Sequence, residues 1–110
     1  YGEQGGHHPM AKKAFEGVEG YDPDEAIIIS NEKLEELGVR HSTITGNQHS
    51  LYNEFAKTGK TLTMEDMRTI EIKALTKSGV PEDYATNAVD MAIQDLLNKR
   101  ITQPINIPWN

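Results

Sequence analysis

The stretch Pro81-Glu82-Asp83-Tyr84-Ala85-Thr86-Asn87-Ala88-Val89-Asp90-Met91-Ala92-Ile93-Gln94-Asp95-Leu96 decides the fold class. Ala85, Ala88, Val89, Ala92, Ile93 and Leu96 recur at the 3.6-residue period of an α-helix, with Glu82, Asp83, Asp90 and Asp95 outside, and Pro81 suits a first helical turn. A helix this long with one apolar face must lay that face on other elements. Immediately upstream, Thr63 with Asp66 makes a weak capping box for a helix whose stripe is Met67, Ile70 and Ala74, ended by Ser78-Gly79. Further back, Thr45-Gly46-Asn47-Gln48 reads as a capping box for a helix carrying Leu51, Tyr52 and Phe55 and stopped by Gly59. Ser30 caps a short helix with Leu34 and Leu37 on one side and Gly38 at its end.

Two segments lie outside this pattern. Asp22-Pro23-Asp24-Glu25 suits the start of a helical turn, whereas the adjacent Ile27-Ile28-Ile29 favours a buried extended piece, for which the chain offers hardly any partner strand; both readings stay open. Downstream, Pro104 and Pro108 prevent residues 101–110 from continuing a helix. They are expected to form an extended strap whose single tryptophan, Trp109, docks on the helices. The expectation is a mainly α fold: a small single-domain bundle of three to five helices with an extended C-terminal strap, spanning 7–110 behind a flexible glycine-rich leader over 1–6.

The 110 residues, 36% hydrophobic and 25% charged, suit one small domain. No run approaches the roughly 20 apolar residues of a membrane span, and the first residues have neither the basic region nor the hydrophobic stretch of a secretory signal. Cysteine is absent, which removes disulfides, thiolate metal sites and thiol nucleophiles. The net charge of −6 lacks the basic footprint of a general nucleic-acid binder. The acid is concentrated early: residues 1–46 hold nine acidic and four basic side chains, residues 47–110 eight and seven. The second half retains scope for a local basic face, and the first half suits a surface that a basic partner reads.

Histidine is the usual proton-transfer group near neutral pH and the commonest metal ligand where thiolates are lacking. His7, His8, His41 and His49 all lie outside the long amphipathic helix. A lone surface histidine is usually inert, but the adjacent His7-His8 pair stands out. Lys12 and Lys13 follow closely and, if the stretch turns helical, place positive charge where a phosphate or oxyanion would gain from it; the plainer reading, favoured by spacing alone, is a solvated amphipathic segment with Phe15 packed inward. His49, read as just inside a helix start, is expected to stay neutral there. Glu65 and Arg68, three apart on one helix, are expected to pair, leaving a carboxylate-held guanidinium as a phosphate clamp. Lys57, Lys60, Lys73 and Lys77 extend the positive face or serve solubility alone. No phosphate-loop, dinucleotide, zinc-protease or calcium-loop pattern is present.

Gly5-Gly6-His7-His8-Pro9-Met10-Ala11-Lys12-Lys13-Ala14-Phe15, the Ile29-Ser30 step, Thr45 with Gln48, Thr63-Met64-Glu65-Asp66-Met67-Arg68 and Asn106-Ile107-Pro108-Trp109-Asn110 together resemble a C-terminal toxin domain of bacterial polymorphic toxins. Such domains end long Rhs, wall-associated or filamentous-haemagglutinin-like proteins of contact-dependent inhibition. The resemblance runs from about Gly5 to Asn110. It implies the effector end of a larger secreted or cell-surface-delivered polypeptide, acting in the target-cell cytoplasm and neutralised by a cognate immunity protein. The Gly-His-His opening is similar to the start of the HNH or endonuclease VII type, in which a histidine activates water opposite a divalent metal. Carried over, His8 is the base and His7 or His49 a metal ligand. That type also implies a ββα finger and a later pair of His or Asn ligands, whereas here His49 is followed by Asn53 and no further histidine. A metal-independent RNase using His8 with Lys12, Gln48 or Arg68 fits the side chains equally well.

The resulting expectation is a nuclease toxin cleaving RNA, tRNA included, or DNA. His8 acts as general acid or base, Arg68 oriented by Glu65 holds the phosphate, and Lys12, Gln48 and His49 contact substrate. The cofactor is either none or a divalent metal on His7, His8 or His49. Two rivals come from other classes: a toxin enzyme acting on a nucleotide or small metabolite, and a non-catalytic protein-interaction module. His8, Glu65 and Arg68 in one cleft would favour the nuclease, and scattered positions the module. The immunity partner of so acidic a domain is expected to carry a basic patch.

Overall fold

A computed structural model of the chain describes residues 6–22 and 26–108. Among them are four helices, α1 (Asn31–Leu37), α2 (His41–Ala56), α3 (Met64–Lys77) and α4 (Glu82–Asn98). Two short strands, β1 (Gly6–His7) and β2 (Ile29–Ser30), and a 3-10 turn at Lys12–Ala14 complete the elements. The fold is mainly α, as the apolar periods require.

The stripe read from Pro81 onward is buried: Ala85, Val89, Ala92 and Leu96 face inward from α4. α3 packs against both α2 and α4, so it has little solvent face on its Met67, Ala74 and Leu75 side. Thr63 and Asp66 form the complete reciprocal box at the start of α3. Ser30 accepts from the Lys33 amide at the start of α1, and Gly38 ends it at φ 74°, a left-handed conformation glycine adopts without steric cost. Ala14 and Phe15, from the turn near the start of the described chain, are wholly buried with this core.

The capping box expected at Thr45-Gly46-Asn47-Gln48 does not form. α2 begins four residues earlier at His41, after an extended Arg40, and runs through all four. Thr45 instead donates its hydroxyl to the His41 carbonyl within the helix. Burial decides the matter. Ile44 is completely buried, a gain of about 2–3 kcal/mol, whereas a glycine at position 46 of a helix costs about 1 kcal/mol. His49 consequently lies in the middle of α2 rather than near its start, and the anion-favouring amides of a helix N-terminus are not beside it.

Ile29 does find a strand partner. β1 and β2 pair antiparallel, Gly6 opposite Ser30 and His7 opposite Ile29. The partner is the start of the histidine segment, with Gly6, the last residue assigned to the leader, inside the pair. The strap also forms between the end of α4 and residue 108, with Ile101, Pro104 and Pro108 buried. The Ile105 and Asn106 amides both donate to the Ala14 carbonyl, and the Gln103 side chain accepts the Met64 amide, one of the unpaired donors at the start of α3. Trp109 and the Pro23-Asp24-Glu25 part of the possible early turn lie outside the described residues, as do residues 1–5.

Gly46 is exposed, has ordinary helical backbone, and has nothing within 4 Å of the position a Cβ would take. Gly46→Ala is therefore expected to stabilise the domain by about 0.5–1 kcal/mol in urea unfolding. A neutral or destabilising result would contradict a helix running through residue 46.

Candidate active site

Pairing of β1 with β2 draws the histidine segment into the domain. His7 is 2% exposed and His8 8%. The His7 ring meets the His41 ring edge-on, centroids 5.4 Å apart, so the histidine segment sits against the first turn of α2. Burial chiefly, with His41 and then His8 as positive neighbours, lowers the His7 pKa from 6.5 to about 3. His7 is consequently a neutral imidazole at physiological pH. Its Nε2 is buried and has no hydrogen-bond partner among the described residues.

Three residues beyond His8, the Ala11 amide donates at 2.9 Å to Oε2 of Glu71, a wholly buried carboxylate on α3. Tyr52 Oη donates to the same oxygen at 2.6 Å, and Gln48 Nε2 donates to Oε1 at 2.7 Å, both from α2. Glu71 thus joins the histidine segment, α2 and α3 at one point. Desolvation outweighs the three hydrogen bonds and raises its pKa from 4.5 to about 7. Tyr52 is pushed well above its ordinary value, by burial first and then by the adjacent Glu71. Reading for surface chemistry misses Glu71. The available signal is a carboxylate inside the apolar period Met67, Ile70, Ala74, Leu75, matched by Gln48 inside the period Ile44, Leu51, Tyr52.

The remaining candidates are placed separately. Arg68 does not pair with Glu65. It forks onto Asp90 of α4, Nε to Oδ1 at 2.7 Å and Nη2 to Oδ2 at 3.2 Å, because α3 packs alongside α4 and a two-bond fork fits better than an in-helix pair. Arg68 lines an open groove of about 600 Å³ between these helices, with Thr69, Lys73, Thr76, Glu82 and Thr86. Neither His8 nor Glu65 is in that lining. Lys12 is exposed on the 3-10 turn, and His49 is exposed on α2. Gln48 is buried, with its amide group committed to Glu71.

A divalent metal finds an incomplete donor set. His7 Nε2 and the neighbouring His41 ring are two imidazoles, and among the described residues no group of three or more His, Asp or Glu side chains gathers that could hold an ion.

The two buried titrating groups oppose each other in their effect on stability. Folded Glu71 keeps a proton between pH 4.5 and 7 that the unfolded chain has lost, so its contribution is full below 4.5 and declines as pH rises toward 7. Folded His7 stays neutral between pH 6.5 and 3 where the unfolded chain is protonated, so its contribution is full above 6.5 and declines as pH falls. Their slopes cancel between pH 4.5 and 6.5. In Glu71→Gln the His7 slope is left alone, and relative to wild type the unfolding free energy is expected to rise with pH by up to about 1.4 kcal/mol per unit across that window. Parallel profiles for the two proteins in urea titrations from pH 4.5 to 7 would contradict this assignment.

β1 and β2, with the 3-10 turn between them, precede α1, and the chain's one pair of adjacent histidines starts on β1. Residues 3–94 match the family described as HNH/Endo VII superfamily toxin with a SHH signature. No curated protein and no solved structure matches the chain. The chain has no Ser-His-His string; its His-His pair, at the start of the matched span, follows Gly6. A match over most of the length settles the membership: the chain belongs to the HNH/Endo VII superfamily toxins with an SHH signature.

Proposed function

We propose that this domain is a nuclease effector of bacterial competition, cleaving phosphodiester bonds in RNA, with tRNA a candidate substrate, or in DNA. The observation that carries the proposal is the histidine pair, held by β1–β2 pairing within a toxin family of the HNH/Endo VII superfamily. The two histidines divide the work. His7, neutral down to about pH 3, is a poor proton donor or acceptor near neutrality, which assigns proton transfer to His8. His8 takes the proton from the attacking oxygen, a ribose 2′-hydroxyl in RNA or a water in DNA, as the new O–P bond forms. It returns the proton to the departing oxygen as the second P–O bond breaks. Lys12, four residues on, adds positive charge beside the phosphate.

Arg68 takes a different place in this proposal from the one its spacing to Glu65 implied. Fixed by Asp90 in the α3–α4 groove, it holds a backbone phosphate away from the bond being cut. Glu65 has no assigned part, and Gln48 serves Glu71 rather than substrate. The separation of the Arg68 groove lining from His8 is the observation on the side of the protein-interaction module. Delivery from a larger secreted or cell-surface polypeptide into the target cytoplasm, and neutralisation by an immunity protein with a basic patch, complete the proposal. Among the described residues no helix is long and apolar enough to cross a membrane.

The test is to incubate the purified domain and His8→Ala with total RNA and plasmid DNA, with magnesium, with zinc and with a chelator. Wild type is expected to cleave, and His8→Ala to be slower by about 100-fold to 10,000-fold with an unchanged circular dichroism spectrum. Cleavage that survives the chelator would identify a metal-independent reaction. Folded wild type that cleaves neither polymer under any condition would overturn the nuclease proposal in favour of the interaction module or an enzyme acting on a nucleotide or metabolite.

A further inference from the structure

The segment His7-His8-Pro9-Met10-Ala11 is fastened at both ends. At one end His7 is in register with Ile29 across the β1–β2 pair. At the other the Ala11 amide donates to Glu71 at 2.9 Å. Pro9 and Met10, between them, are buried. His8 stands inside this short span, so moving either fastening moves His8.

We propose that Glu71 is a positioning residue for the histidine pair: from α3 its carboxylate holds the Ala11 amide and thereby sets where His8 stands. The functional consequence rests on the reading of His8 as the proton-transfer group. Stability alone is a weak reason for a carboxylate here, because an apolar side chain of similar volume would avoid the desolvation cost. What an apolar side chain cannot do is accept. Three donors converge on Glu71, and an ionised carboxylate is the acceptor-only group that satisfies them all. The histidine segment faces it with a backbone amide, and α2 faces it with Gln48 and Tyr52, of which Tyr52 alone titrates. Protonation of Glu71, expected at about 7, turns one acceptor oxygen into a donor and disturbs this set near neutral pH.

The test replaces the polar cluster with apolar side chains while keeping the core filled: Gln48→Leu, Tyr52→Phe and Glu71→Met together. This variant is expected to fold, to exchange its Ala11 amide proton faster than wild type, and to cleave nucleic acid about 100-fold more slowly, the scale of a displacement near 1 Å at a reacting group. Glu71→Gln keeps an acceptor for Ala11 and is expected to restore most of the lost rate. Wild type itself supplies a measurement that needs no stable triple variant: the His8 Cε1 resonance is expected to show a step at the Glu71 midpoint that is absent in Glu71→Gln. A folded triple variant with wild-type cleavage, unchanged Ala11 exchange, or a His8 resonance indifferent to Glu71 would overturn the proposal. Wild type that cleaves nothing would remove the nuclease reading, and the exchange and resonance measurements would still decide whether Glu71 positions His8.

Discussion

A carboxylate without solvent, met by three donors from two different parts of the chain, is the constraint around which this domain is arranged. Glu71 lies on the buried side of α3, which packs against α2 and α4, and so an unsatisfied charge there would cost several kcal/mol. The fold answers by bringing Gln48 and Tyr52 from α2 and the Ala11 amide from the histidine segment to the same place. The segment that carries the histidine pair is thus fastened to the helical core by a polar bond of defined direction. It adds a second fastening to the register that β1–β2 pairing sets at His7.

The strap closes the arrangement from the other end of the chain. Its Ile105 and Asn106 amides meet the Ala14 carbonyl, and the Asn106 side chain donates to the Lys13 and Glu16 carbonyls. The turn next to the histidine segment is therefore gripped by residues some ninety positions later. Gln103 reaches the α3 N-terminus at the same time. Early segment, central helix and strap depend on one another, which suits a small domain with a modest core that must still hold its histidine segment in place.

Features written in local chemistry are legible in the sequence. The apolar period of α4, the Thr63–Asp66 box and the Ser30 and Gly38 ends of α1 all involve residues within a few positions of each other, and all appear. The features that escaped depend on contacts across the chain. Thr45 and Gln48 have the right spacing for a box, but Ile44 is buried against the core and extends α2 backward past it. Ile29 looked unpartnered because its partner is His7, far upstream. Arg68 has Glu65 in reach on its own helix, yet helix packing offers it the two oxygens of Asp90. The candidate site was half legible: adjacent histidines announce themselves by residue type, whereas Glu71 is marked only by its place inside the apolar period of α3, and its three donors come from across the chain.

The family, the histidine pair and the buried carboxylate meet in one physical picture: a toxin domain whose histidine segment is tied to the core by a carboxyl group that burial brings to titrate at about 7. The most direct measurement of that picture is the side-chain carboxyl carbon resonance of Glu71 followed by NMR from pH 4 to pH 9. A midpoint near 7 is expected for a carboxylate dried by the core and held by Ala11, Gln48 and Tyr52. A midpoint near 4.5, the value of a solvated glutamate, would contradict the account: desolvation would not outweigh the three hydrogen bonds, and Glu71 would stay ionised through neutral pH.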